Sequence, residues 1–101
     1  MDAPPFVLLY TPEFIRQLAA IGRDNPRKHG KVLKTLRLLR DPGPAYPSLQ
    51  SHKYQSLTGP DGQEIWESYV ENRTPAAWRV FWCYGPRAGD ITMITVGPHP
   101  N

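Results

Sequence analysis

IWESYVENRTPAAWRVFWCY, residues 65 to 84, decides the fold. It consists of two runs of β-branched and aromatic residues, the composition of strands that pack on both faces, joined by a polar turn with Asn72 and Pro75. Side chains two apart share a sheet face, so Glu67, Tyr69 and Glu71 are expected to project together, with Trp66, Ser68 and Val70 on the other side. If Arg79 on the following run faces the same way, an acid, a phenol and a guanidinium meet on one surface.

Working outward, HKYQSL at 52–57 precedes this pair and is joined to it by the hairpin signal TGPDGQ at 58–63. ITMITVG at 91–97 follows it after the turn PRAGD. These four runs read as an antiparallel meander. Ahead of them lie a short apolar strand, FVLLY at 6–10, and two helix starts. Thr11-Pro12 opens the first helix, with Thr as the cap, Pro at the first helical position and Glu13 at the positive end of the dipole. Asn25-Pro26 opens the second, which runs to about Arg40 before Asp41, Pro42, Gly43 and Pro44.

Phe14, Ile15, Leu18 and Ile21 form the apolar stripe of the first helix, and Val32, Leu33, Leu36 and Leu39 that of the second. The predicted order is β-α-α-β-β-β-β, an α+β fold with a helical hairpin packed on a mostly antiparallel sheet. The first strand is free to pair parallel with any of the later four.

The chain has 101 residues, a length that suits one domain spanning 1–101. Its uncharged apolar runs are only a few residues long, against the roughly 20 that a membrane-spanning helix needs, and no basic leader precedes an apolar segment. A soluble, cytoplasmic protein without a membrane partner is expected. Cys83 is the single cysteine, which excludes an intrachain disulfide, and its place among strand aromatics reads as a small buried hydrophobe. His29, His52 and His99 lack metal-motif spacing. The formal charge is +3, and Arg27, Lys28, Lys31, Lys34 and Arg37 crowd one side of the second helix. That side is either a solvated helix surface or an electrostatic footprint for a phosphate backbone.

Trp66-Glu67-Ser68-Tyr69-Val70, Trp78-Arg79-Val80-Phe81 and the closing Ile94-Thr95-Val96-Gly97 before His99 resemble the strand motifs of the RelE/ParE superfamily, the toxins of bacterial toxin–antitoxin pairs. The resemblance extends over essentially the whole chain and is nearer to the RelE, YoeB and HigB branch than to ParE, which poisons DNA gyrase. It implies cleavage of messenger RNA on the ribosome, with the ribose 2′-OH attacking the adjacent phosphodiester without a metal or other cofactor. It also implies a cognate antitoxin and assembly with it.

Carried over by position, the resemblance implies that Arg79 contacts phosphate, Glu67 acts as base, His99 acts as acid, and Tyr69 stands where a Lys or Arg is usual. His52 and Lys53 are expected to face RNA, as are Arg27, Lys31 and Lys34 of the basic helix side. A gyrase-binding protein and a catalytically silent binding protein of the same fold are the alternatives.

Overall fold

The computed structural model describes residues 5–59 and 61–98. β1 (Val7–Tyr10) leads into α1 (Pro12–Asp24) and α2 (Pro26–Arg40). A 3₁₀ turn over Pro47–Leu49 then precedes β2 (His52–Thr58), β3 (Glu64–Tyr69), β4 (Trp78–Tyr84) and β5 (Asp90–Pro98). The five strands make one sheet in the order β1-β5-β4-β3-β2, antiparallel except for the parallel pair β1 and β5. The predicted α+β order is therefore observed.

Both helices begin where their caps direct. The Thr11 hydroxyl accepts from the Phe14 amide and the Asn25 side chain from the Lys28 amide, so each satisfies an amide that has no partner within its helix. After α2, the Gly43 amide closes back on the Leu38 carbonyl, with Gly43 at φ +100°. A β-carbon there would lie 2.8 Å from the Phe6 ring, so both the backbone angle and the space demand glycine.

Phe14 and Ile21 from α1 and Val32, Leu36 and Leu39 from α2 are buried against Val80, Trp82, Ile91, Met93 and Val96 of the sheet. Each such side chain contributes about 1.5–3 kcal/mol. Ile15 and Leu33, expected in these stripes, are exposed, because each lies one position beside the buried row. Trp82 stacks on Trp66 at 5.7 Å, and its indole N–H donates to the Ser68 hydroxyl, which in turn is 2.8 Å from that nitrogen and 2.7 Å from the Ser51 hydroxyl. The buried indole thus has the polar partner that its N–H requires.

The short β1 pairs only with Asp90–Met93 of β5. Beyond Tyr10 the outer edge of β5 is met by α1 instead. The Thr11 amide and hydroxyl donate to the carbonyls of Met93 and Ile94, and the Gln17 side-chain oxygen accepts from the Val96 amide at 2.9 Å. Buried backbone groups that a longer strand would have paired are satisfied in this way.

The sheet face away from the helices carries a second cluster, Ile65, Phe81 and Cys83, with Tyr54 and Ile94 against it. Cys83 is buried there as expected, and burial pushes its thiol pKa up. Among the described residues no helix is long and apolar enough to cross a membrane.

Candidate functional site

Glu67 lies on this second face with Ile65 and Tyr69 on either side along β3, Phe81 directly opposite on β4 and His52 opposite on β2. Those neighbours enclose it, and it is only 1% exposed. The carboxylate faces the Arg79 guanidinium, with Nε at 3.3 Å, and the His52 imidazole, with Nε2 at 3.4 Å, both measured to the same Oε1. Arg79 is the register partner of Tyr69, and its guanidinium lies over the Tyr69 ring at 3.5 Å. The expected meeting of Glu67, Tyr69 and Arg79 on one face is therefore observed.

Arg79 is fixed from several sides. Its Nη1 donates to the carbonyls of Glu71 at 2.7 Å and Trp78 at 3.1 Å, and its Nε faces Glu67. Nη2 makes no hydrogen bond among the described residues and is the guanidinium nitrogen open to an incoming anion. Stacking on Tyr69 in a largely desolvated setting adds about 2 kcal/mol of cation–π attraction.

The His52 imidazole is half exposed and was expected only to face RNA. Its Nδ1 lies 2.7 Å from the Gln50 carbonyl, which can only accept, so Nδ1 carries a proton. Gln50 adopts a left-handed conformation, φ 46°, uncommon for a side-chain-bearing residue. The nitrogen able to exchange a proton is then Nε2, the one that faces Glu67. An exposed imidazole oriented by a carbonyl and backed by a buried carboxylate has the general form of a proton-transfer pair. Glu67 lies beneath His52 rather than at the surface. The strand run 52–57 was legible in the sequence, but the pairing register that sets His52 opposite Glu67 was not.

Two expectations need correction. Glu71 does not join Glu67 and Tyr69. The amides of Val70 and Glu71 both donate to the Trp78 carbonyl, so a bulge interrupts the alternation just past β3. The Glu71 carboxylate turns to α2, where it accepts from Lys28 and Lys31 at 3.0 Å each and from the Trp78 amide at 3.2 Å. Burial raises its pKa, but these hydrogen bonds outweigh that effect and hold it below the usual carboxylate value.

Lys53 does not accompany His52, because adjacent strand residues point to opposite faces. It pairs with Glu64 at 3.1 Å and sits over Trp66 on the helix side. Among the basic residues of α2, Lys31 is engaged by Glu71, and Arg27 lies exposed on the first turn. Lys34 and Lys31 border a cleft described below. His99 lies outside the described residues. No group of three or more His, Cys, Asp or Glu side chains suited to a metal ion occurs among the described residues.

A helical hairpin on one side of a five-stranded mixed sheet, in the order β-α-α-β-β-β-β, is the RelE-like α+β fold. Solved structures with that architecture match the chain over nearly its full length at low sequence identity. A chain of the archaeal RelE–RelB complex from Pyrococcus horikoshii is 11% identical with a TM-score of 0.65, covering 93% of this chain and 94% of that one. A metal-bound toxin from Helicobacter pylori is 12% identical with a TM-score of 0.68, covering 93% and 94%. A chain of the Escherichia coli DinJ–YafQ toxin–antitoxin complex is 14% identical with a TM-score of 0.64, covering 94% and 93%. No protein-family model matches the sequence, and no curated protein matches it.

Proposed function

We propose that this chain is the toxin of a toxin–antitoxin pair and a metal-independent endoribonuclease that cleaves messenger RNA on the ribosome. The observation that carries the reading is the contact of Glu67 with both His52 and Arg79 on the sheet face opposite the helices. Cleavage by 2′-OH attack needs a proton acceptor for the hydroxyl, a cation for charge growing on phosphate oxygens and a proton donor for the leaving 5′ oxygen.

The His52–Glu67 pair accepts the 2′-OH proton, which then lies between Nε2 and the carboxylate oxygen that it faces. The Nη2 of Arg79 contacts the phosphate, with Tyr69 and two carbonyls holding the guanidinium in place. His99 is assigned the proton to the leaving group from its position in the sequence just past β5. The bond from phosphorus to the 5′ oxygen breaks as the bond from the 2′ oxygen forms, leaving a 2′,3′-cyclic phosphate and a 5′-OH. Electron pairs move within the substrate, and no oxidant or cofactor enters. A cognate antitoxin is the expected partner, as in the RelE–RelB and DinJ–YafQ complexes, and the toxin assembles with it. The site of action is the cytoplasm.

Inducible expression of the wild type, His52→Gln and Arg79→Lys, with mapping of message 5′ ends bearing hydroxyl groups, tests the reading. In-frame cuts from the wild type and few or none from either variant are expected. Growth arrest without new 5′ ends would defeat the ribonuclease assignment and favour gyrase as target. A folded, expressed wild type that leaves growth and messages unchanged would favour a catalytically silent binding protein.

A further inference from the structure

A cleft of about 360 Å³ opens between α2, the 3₁₀ turn and the turn that follows the bulge. Its volume lies in the range of about 300–1,000 Å³ typical of small-ligand sites. It is bordered by Lys31, Lys34, Ser48, Tyr69, Asn72 and Thr74.

The electrostatics of the cleft favour an anion. Lys28 and Lys31 share the single carboxylate of Glu71, so one positive charge is left over, and Lys34 adds another without an ion pair among the described residues. The side chains of Ser48, Asn72 and Thr74 also make no hydrogen bond among the described residues, leaving two hydroxyls and an amide available to phosphate oxygens.

Two residues connect this cleft to the Arg79 site. Tyr69 borders the cleft and carries the guanidinium on its ring, while Glu71 borders the cleft and holds Arg79 Nη1 through its carbonyl. Tyr69 and Glu71 are thus the residues through which a strand held at Arg79 would reach the opening.

We infer that the cleft is a second phosphate subsite, which takes the nucleotide flanking the cleaved bond. The subsite rests on the ribonuclease reading for its substrate class and makes the enzyme one that grips at least two successive phosphates of single-stranded RNA. Lys34 is the cation of this subsite, assisted by Ser48 and Thr74.

The test uses purified full-length protein and 2′-O-methyl oligoribonucleotides, whose blocked 2′ oxygen prevents cleavage. A dinucleotide carries one bridging phosphate, and a tetranucleotide spans both positions. Lys34→Ala and the double variant Ser48→Ala/Thr74→Ala should weaken the tetranucleotide severalfold and leave the dinucleotide unchanged. Loss of one phosphate contact should also lower the slope of log affinity against log salt by about 0.7 for Lys34→Ala.

An unchanged slope with unchanged tetranucleotide affinity would overturn the subsite. So would equal weakening of both oligonucleotides, which marks Lys34 as a general steering charge, or no binding of the tetranucleotide by the wild type. Cut-site mapping judges the ribonuclease reading separately. Cleavage lost in Arg79→Lys but intact in Lys34→Ala, with equal tetranucleotide binding, sinks the subsite alone.

Discussion

The guanidinium carbon of Arg79 lies 3.5 Å from the centre of the Tyr69 ring, and the two residues are register partners across β3 and β4. The Tyr69 phenol ring is thus the platform on which the arginine rests. Tyr69→Phe keeps the ring and should retain stability within about 0.5 kcal/mol, the usual range for a change away from core packing. Tyr69→Ala removes the platform and should cost about 2 kcal/mol in urea unfolding. Cleavage should fall with Ala and persist with Phe.

Arg79 and Glu67 are both largely buried, so removing one leaves the other as an uncompensated charge. Arg79→Ala should destabilise the chain by about 3–5 kcal/mol, and adding Glu67→Gln should recover part of that loss. A double-mutant cycle followed by circular dichroism checks the coupling. An additive pair would show that the contact holds no energy. For this reason Arg79→Lys, which keeps a charge beside Glu67, is the sounder probe of cleavage.

Glu71 contributes to acid sensitivity. Its folded pKa lies below the ordinary glutamate value of about 4.5. Its stabilising contribution is therefore complete above that ordinary value, which the unfolded chain has, and disappears as pH falls through the lower folded value. With hydrogen bonds to charged partners contributing about 1.5–3 kcal/mol, the wild type should lose stability on this acid limb. Glu71→Gln should be less stable at neutral pH and flatter in this pH window. Urea midpoints across the range provide the measurement, and parallel curves would contradict the assignment.

Gly43→Ala should be destabilising by at least about 1 kcal/mol, since φ +100° disfavours any β-carbon and the Phe6 ring occupies its place. Truncating Phe6 to Ala relieves the steric contact but not the backbone angle, so rescue in thermal melts should be partial.

Local signals in the sequence proved sufficient for the elements. Thr11-Pro12 and Asn25-Pro26 act within one helical turn, and both helices begin where those residues place them. What was not legible depends on pairing between distant segments. The parallel partner of β1 was open because four apolar residues fit beside any strand, and β5 is the one that receives them. Strand alternation placed Glu67, Tyr69 and Arg79 correctly on one face. It failed at Glu71, where the bulge inserts an extra residue that no composition signal announces. It also contained the information that His52 and Lys53 diverge, but only the register with β3 shows that His52 is the one facing Glu67.

The Gln17 side chain that meets the Val96 amide makes α1 part of the sheet's backbone ladder as well as its cover. Opening of α1 must therefore uncover Val96 at the same moment. In hydrogen–deuterium exchange, that amide should report on α1 unfolding rather than on local fraying of β5, and Gln17→Ala should speed its exchange while amides paired with β1 stay slow. α1 and the distal half of β5 should then behave as one cooperative unit, so that Val96 is only as steady as a helix that begins at Pro12.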